Sequence, residues 1–216
     1  MIQLLILAGI VVFMVMRLRN ALGTRDGYEG DSAHGGRAPV PTPKHDFEVI
    51  EGGLDQDIAD HTDVNSDNGD ALARMKRVEP SFGVSDFIGG ARGAYEMILM
   101  AFERGDMDSI KPYLADDVFE AFNGVVEARK EQGLTVEAEF IGVREVSFEG
   151  AQFVDDIRRA TIDIKFLGEM TSAVRNADGV IIEGDPNTIK KQRDVWSFSR
   201  VMGSDDPNWQ LVATGE

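Results

Sequence analysis

The sequence predicts an α+β domain in which helices pack against one concave face of an antiparallel sheet. Apolar residues recur at intervals of three and four between residues 85 and 133, which is the period of a helix. From Thr135 onward they alternate with polar residues, which is the period of a strand. Helices followed by a run of strands, rather than alternating with them, are typical of the α+β class. With 43% hydrophobic residues in 216, the chain has room for one such domain with a buried core.

The chain begins with an apolar run that predicts a transmembrane helix over residues 1–22. Residues 1–16 carry no charge, and two arginines follow directly. A helix of that length spans about 24 Å, so the arginines snorkel and residues 18–22 extend the helix across a core of about 30 Å. A cleaved signal peptide would instead carry its charges before the apolar run. The residues predicted to form the anchor are Ile2, Leu4, Leu5, Ile6, Leu7, Ile10, Val11, Val12, Phe13, Met14, Val15, Arg17 and Arg19.

The position of those arginines also predicts the orientation of the chain. Because Arg17, Arg19 and Arg25 follow the apolar run, the positive-inside rule places the amino terminus outside and the rest of the chain in the cytoplasm. The absence of cysteine excludes disulfides and thiol catalysis and suits a reducing compartment.

Residues 23–80 are predicted to be an acidic flexible linker. The PVPTP stretch at residues 39–43 has no helical or strand period, and nine acidic residues but no basic ones lie between Asp46 and Asp70. Repulsion among these charges favours an extended spacer, and a docking tail for a basic partner is the alternative. The three histidines, His34, His45 and His61, lack the spacing of metal ligands, so no metal site is predicted.

The net charge limits the possible partners of the chain. It is −16 at pH 7, of which −11 belongs to residues 81–216. Such a domain repels nucleic acid and anionic lipid headgroups, so neither is predicted as a direct ligand. Contact with the bilayer is therefore expected through the N-terminal helix alone.

The folded domain is predicted to start at residue 81, with a first helix capped by Ser85 or Asp86 and ended by Gly105. Three glycines inside it, Gly89, Gly90 and Gly93, each cost about 1 kcal/mol relative to alanine. We therefore expect a neighbouring strand or helix to approach them closely, or the helix to begin after them.

Two more helices and five strands are predicted after the first helix. Asp108 can cap a short helix with Pro112 in its first turn, and Asp116 or Asp117 can cap a longer one that ends at Gly133. Strands are expected at about residues 135–148, 152–170, 179–183, 191–202 and 208–214, with a bulge near Gly142 and turns at 178–179 and 205–208.

Residues 81–216 contain neither histidine nor cysteine, which removes the commonest general base, nucleophile and metal ligand. We therefore predict no catalytic residues, no cofactor and no metal, and a protein that is not an enzyme. Asp194, Trp196, Phe198 and Arg200 are spaced two residues apart, so they lie on one face of a strand. This indicates an aromatic core with charged residues at its rim. Proton transfer by a carboxylate paired with Tyr95 is the alternative.

Several side chains are candidates for binding a ligand or a partner, in a cavity or on the surface. Met97 and Met100 lie off the main apolar stripe of the first helix, so we expect them to be exposed to a partner. Trp196 and Trp209 either line a cavity or fill the core. The complete predicted set is Tyr95, Met97, Met100, Trp196, Arg200 and Trp209.

Several motifs occur in an order that resembles a known family. They are FIGGARGAYEMILMAFERGD, the run at residues 117–122, EGDP at 183–186, DVWSFSR, and DPNWQLVATG at 206–215. Together they resemble the carboxy-terminal domain of the mitochondrial inner-membrane import-motor adaptor, of the translocase of the inner membrane family. An anchor joined to such a domain is similar to the bacterial TimA-type relatives.

The resemblance implies a nuclear-transport-factor-like (cystatin-like) cone and a non-enzymatic adaptor at the cytoplasmic face of a bacterial inner membrane. Family members link a chaperone motor to a protein channel and touch cardiolipin. The family's long basic N-terminal region is replaced here by an anchor and an acidic spacer, so chaperone binding is not carried over.

Three functions are compatible with the sequence. The first is an adaptor or scaffold that binds a protein partner in protein translocation or membrane-protein biogenesis. The second is a small-molecule-binding or enzymatic cone domain that acts on an apolar ligand. The third is an accessory subunit of a larger membrane complex, for which Gly9 beside Ala8 is the one hint of helix packing in the anchor.

Overall fold

The computed structural model describes residues 55–215, and within them the helices precede the strands, as the sequence predicts. The helices are α1 (Gln56–Ala59), α2 (Asp67–Val78), α3 (Val84–Arg104), α4 (Met107–Ile110) and α5 (Asp116–Glu131). The strands are β1 (Thr135–Val154), β2 (Arg159–Arg175), β3 (Ile181–Val201) and β4 (Gln210–Gly215), and short 3-10 helices occupy Lys111–Tyr113 and Asp155–Ile157.

The four strands form one antiparallel sheet in the order β1-β2-β3-β4. Alternate residues of β2 are completely buried, among them Ile162, Ile164 and Phe166. Ile164 lies opposite Trp196 of β3, and Ile162 lies opposite Phe198, so the apolar residues of the two strands share one face. The helices pack against that face, which confirms the predicted α+β class.

Helix α3 supplies the largest helical part of the core. Tyr95 and Ile98 are fully buried, and Phe87 is 9% exposed. Gly105 ends the helix with a φ of 73°, a left-handed conformation that glycine adopts without strain. The predicted end of this helix is confirmed.

The predicted linker over residues 23–80 is wrong from Asp55 onward, because α1 and α2 are helical and pack into the core. Ile58, Leu72 and Met75 are no more than 2% exposed. The acidic charge does not keep this stretch extended, because Lys76 Nζ lies 2.7 Å from Asp57 Oδ2 and 2.9 Å from Asp55 Oδ1. The folded domain therefore includes residues that precede the predicted boundary at residue 81.

The N-terminus of α3 is capped from another helix, and not by Ser85 or Asp86 as predicted. The carboxylate of Asp57 accepts hydrogen bonds from the backbone amides of Val84 at 2.7 Å and of Ser85 at 2.9 Å. Burial alone would raise the pKa of Asp57, but hydrogen bonds from Lys76 and the two amides outweigh it and hold the pKa well below 3.8. Because Asp57 lies 27 residues before Val84, the sequence next to the helix gives no indication of this cap.

The expectation of a close neighbour at the glycines of α3 is also wrong. The helix begins at Val84, before all three glycines. At Gly89, Gly90 and Gly93, no heavy atom of another described part of the chain would lie within 4 Å of an added Cβ. Contacts inside the described domain therefore do not explain why these positions are glycine.

The sheet has fewer and longer strands than the sequence predicts. The segments expected at 179–183 and 191–202 belong to the single strand β3. Its pairing with β2 shifts in register, because Met170 lies opposite Lys190 whereas Ser172 lies opposite Asp185. The turn between β1 and β2 lies at residues 155–158 rather than near 150. The bulge next to Gly142 is confirmed by a register shift, although Ile141 is 48% exposed.

The predicted anchor at residues 1–22 and the linker residues 23–54 lie outside the described residues. Within residues 55–215, no helix is both long enough and apolar enough to cross a membrane.

Candidate functional site

The six side chains predicted to bind a ligand or partner fall into three separate places. Tyr95 and Trp196 lie in the core, Arg200 and Trp209 line an open cavity, and Met97 and Met100 border a second hollow. The sequence placed all six in one candidate set, and the structure brings them together only in pairs.

Tyr95 and Trp196 belong to an aromatic cluster beneath α3. Tyr95 is completely buried and stacks on Phe166, with ring centroids 4.4 Å apart and an interplanar angle of 15°. Its ring centroid lies 4.7 Å from that of Trp196. Neither residue lines the cavities described below, so these side chains fill the core.

The hydroxyl of Tyr95 donates a hydrogen bond of 2.6 Å to Oδ2 of Asp194. Burial of the ring, together with this carboxylate, raises the pKa of Tyr95 well above its ordinary value of 10.0. The phenol therefore stays protonated at neutral pH. A buried, protonated phenol is suited to holding α3 against β3.

Arg200 and Trp209 border an open cavity of about 410 Å³ between α3 and the hairpin formed by β3 and β4. We call it the aromatic cavity. The rings of Phe87 and Trp209 lie 4.6 Å apart in its wall, and those of Phe82 and Trp209 lie 5.9 Å apart. The remaining side chains that line it include Ala91, Ala94, Ile98, Tyr113, Phe198 and Asn208.

Arg200 is the charged residue buried most deeply in this cavity, with 8% of its side chain exposed. Its Nη2 atom lies 2.6 Å from Oε1 of Glu79, whose other oxygen accepts the Gly203 amide at 2.9 Å. The Arg200 hydrogen bond, opposed by burial and assisted by the Gly203 amide, holds the pKa of Glu79 below 4.5. Glu79 thus connects the end of α2 to the last residues of β3 and, through Gly203, to the turn that follows.

One donor of Arg200 is left without a partner. Its Nη1 atom donates to the Pro207 carbonyl at 3.3 Å, and its guanidinium lies 5.4 Å from the Trp209 ring centroid. The buried Nε has no hydrogen-bond acceptor among the described residues. A buried donor without an acceptor is costly, and the bond to Glu79 and the contact with Trp209 hold the guanidinium in place despite that cost.

A second hollow, of about 260 Å³, lies beside the last turns of α3 and is bordered by Met97, Met100 and Glu96. Met97 is 39% exposed, as predicted. Met100 is only 6% exposed, so its predicted exposure is wrong. The left-handed Gly105 turns the chain so that α4 returns beside this part of α3.

Sequence reasoning missed Glu79, Phe82 and Phe87 as site residues. Glu79 was hidden because the preceding helix was interpreted as linker. The spacing of Leu72, Met75 and Val78, three residues apart, was the available signal for that helix. Within residues 55–215, no cluster of three or more histidine, cysteine, aspartate or glutamate side chains could hold a metal ion.

Comparison with models of known protein families identifies the family to which this domain belongs. The model of the Tim44-like domain matches residues 68–216. The chain belongs to the Tim44-like domain family. The matched region begins within α2, which agrees with a folded domain that includes residues before 81.

The curated Tim44 relatives are distant and longer. Mitochondrial import inner membrane translocase subunit TIM44-1 of Arabidopsis thaliana is 25% identical over 72% of this chain and 34% of its own length. Subunit TIM44 of Homo sapiens is 21% identical over 66% of this chain and 32% of its own. The chain thus spans about a third of the curated relatives it matches.

Among solved structures, the intermembrane space region of the chloroplast protein ARC6 has a TM-score of 0.35. It is 11% identical and covers 50% of this chain and 75% of its own.

Proposed function

We propose that this chain is a membrane-anchored, non-enzymatic adaptor of the bacterial TimA type. It binds a protein partner at the cytoplasmic face of the inner membrane, in protein translocation or membrane-protein biogenesis. The N-terminal helix crosses the membrane once, and the domain of residues 55–215 holds the partner. The tether raises the local concentration of the domain near other membrane proteins. We assign the domain a nuclear-transport-factor-like cone shape as part of the same proposal.

Membership of the Tim44-like domain family carries this proposal. The relatives are named as subunits of a mitochondrial inner membrane translocase, which is an assembly of proteins at a membrane. The arrangement of the domain agrees with such a role. Its Tyr95–Asp194 pair joins the core to a partly buried carboxylate, whereas the accessible feature is a cavity lined mostly by apolar side chains. Concave apolar surfaces with a few fixed polar groups are suited to binding.

The cavity also gives specific support to a second candidate, a domain that binds a small apolar molecule. Its volume of about 410 Å³ lies in the range of small-molecule sites, about 300 to 1,000 Å³. Native mass spectrometry of the purified chain would test this candidate. A bound molecule that is lost from the Ala94→Phe variant would support it, and a chain of unmodified mass would contradict it.

Co-purification tests the adaptor directly. The tagged full-length chain is isolated from membranes solubilised in a mild detergent, beside a matched control that carries residues 1–54 alone. We expect one partner protein in stoichiometric amount with the full chain and none with the control. Recovery of only bulk membrane proteins with both chains would contradict the adaptor function.

A further inference from the structure

Three exposed glycines lie together on the outer face of α3. Gly93 follows Gly90 by three residues and Gly89 by four, so all three share one side of the helix. Each lowers helix stability relative to alanine. An added Cβ would meet no heavy atom within 4 Å among the described residues. Retaining glycine here is useful if the backbone of another molecule must come close.

The glycine face leads directly into the aromatic cavity. Gly90 and Ala94 form part of the α3 wall of that cavity, and Arg200 forms part of the opposite side. The Arg200 side chain is more than nine-tenths buried, and its Nε lacks an acceptor in the described chain. The cavity therefore offers an apolar space, with a fixed guanidinium in its wall, next to a backbone that can be approached closely.

Two carboxylates beside this face favour an occupant with basic residues, whereas Arg92, the exposed basic residue next to Gly93, is engaged with β1 through the Val143 carbonyl at 2.9 Å. Asp86 lies at the rim of the aromatic cavity, and Glu96 borders the hollow at the other end of the glycine face. Both side chains are exposed, on a domain with a net charge of −11 over residues 81–216. The two carboxylates are ten residues apart, about 15 Å along a helix, which equals the length of about three helical turns in a partner.

We propose that this surface binds one helix of a protein partner, which deepens the adaptor function proposed above and depends on it. The partner helix crosses α3 at the three glycines with small residues of its own. It places one apolar side chain in the aromatic cavity, against the rings of Phe87 and Trp209. Lysine or arginine residues on its flanks lie near Asp86 and Glu96.

Helix-to-helix approach explains the glycines better than a soluble ligand does. A small molecule in the cavity would contact Gly90 and Ala94, but it has no need of Gly93, which does not line the cavity. Small residues at a helix interface allow two backbones to approach closely, and added methyl groups would separate them. A partner helix therefore requires glycine at position 93, whereas a ligand in the cavity does not.

Photo-crosslinking in native membranes tests the proposal with the full-length chain. The probe is benzoylphenylalanine in place of Met97, which is 39% exposed beside the glycine face. We expect one discrete cross-linked protein on irradiation. The same probe in place of Ile157, which is exposed in the turn between β1 and β2, is the positional control and should not give this product.

Alanine substitutions then separate this interface from simple helix stability. Gly90→Ala and Gly93→Ala should each raise the melting temperature by about 2 to 4 °C and lower the yield of the cross-link about tenfold. Gly124→Ala is the matched control, since Gly124 is an exposed glycine of α5 that also has open space for a Cβ. It should raise the melting temperature similarly and leave the yield unchanged.

The outcomes distinguish this interface from the adaptor function itself. If Gly90→Ala and Gly93→Ala keep the full yield, or if Gly124→Ala lowers it equally, the helix interface is wrong. A cross-link to phospholipid alone would also overturn it. If one of these results excludes the helix interface but the wild-type chain still co-purifies with a partner, the adaptor function stands and the partner binds elsewhere on the chain. If no partner co-purifies, the adaptor function fails as well.

Discussion

The Tyr95 hydroxyl and the Asp194 carboxylate form a hydrogen bond of 2.6 Å that joins α3 to β3 at the edge of the core. Asp194 also accepts a hydrogen bond from Gln192 at 3.2 Å, so the carboxylate is held on the inner face of β3. The two residues lie 99 positions apart in the sequence. Their contact fixes the position of the helix that carries the glycine face.

Tyr95→Phe should lower the free energy of unfolding by about 1.5 to 3 kcal/mol, because the carboxylate loses a charge-assisted hydrogen bond. Denaturant unfolding of the purified chain measures this change. Tyr113→Phe, at the wall of the aromatic cavity, is the matched control and should change stability far less. Equal stability of Tyr95→Phe and the wild type would show that the hydrogen bond contributes nothing.

Gly168→Ala should destabilise the fold by about 1 to 3 kcal/mol, because its new methyl group would overlap with Tyr95. The added Cβ would lie 2.9 Å from the Tyr95 hydroxyl oxygen and 3.1 Å from Cε1. In a Tyr95→Phe background the nearest of these atoms is gone, so the same substitution should cost less. A double-mutant cycle measures the coupling, and strictly additive effects would refute the contact.

Asp57→Asn should lower the free energy of unfolding by about 1 to 2 kcal/mol. The amide retains one acceptor oxygen for the Val84 and Ser85 amides and loses the charge that pairs with Lys76 at 2.7 Å. Glu139→Gln, at an exposed position of β1, is the control for loss of one negative charge. If both variants unfold like the wild type, α1 does not cap α3 in solution.

The Glu79–Arg200 pair should make stability depend on pH in the acidic range. The pKa of Glu79 in the folded chain lies below its ordinary value of 4.5. Such a carboxyl stabilises the fold above that value, and its contribution is lost as the pH falls through the pKa of the folded state. Glu79→Gln should therefore cost about 2 kcal/mol at pH 7 and progressively less below about pH 4.5.

Unfolding curves of the wild type and Glu79→Gln, recorded from pH 7 to pH 3, check this dependence. Asp178→Asn, in the exposed turn before β3, provides the comparison. A difference between wild type and Glu79→Gln that stays constant over the whole pH range would contradict the ion pair.

Local periodicity predicted much of this fold. The alternation of Ile162, Ile164 and Phe166 with polar residues placed β2 correctly, and the helical spacing of Tyr95 and Ile98 placed the inner face of α3. These predictions are correct because the side chains that face the core recur at the period of the helix or strand, and a few consecutive residues are enough to show that period.

Features that depend on distant partners could not be predicted in this way. The alternation of side chains along β3 placed Asp194 on the inner face of the strand. Its hydrogen bond to Tyr95, however, forms only when α3 packs on the sheet. Likewise, α1 and α2 looked like a charged linker because Asp57 pairs with Lys76 of the next helix and accepts the amides at the start of α3, contacts that exist only in the folded chain. The aromatic cavity arises where α2, α3 and the last hairpin meet, so no single stretch reveals it.

If the face of the aromatic cavity holds a protein partner at the membrane, filling that cavity should release the partner, and quantitative co-purification measures the loss. In Ala94→Phe the added ring occupies the cavity, whereas Ala177→Leu adds bulk in an exposed turn as the matched control. We predict that the wild type and Ala177→Leu each recover one partner in stoichiometric amount, and that Ala94→Phe recovers about tenfold less while remaining folded. Equal recovery by all three full-length chains would show that the partner does not bind at this cavity.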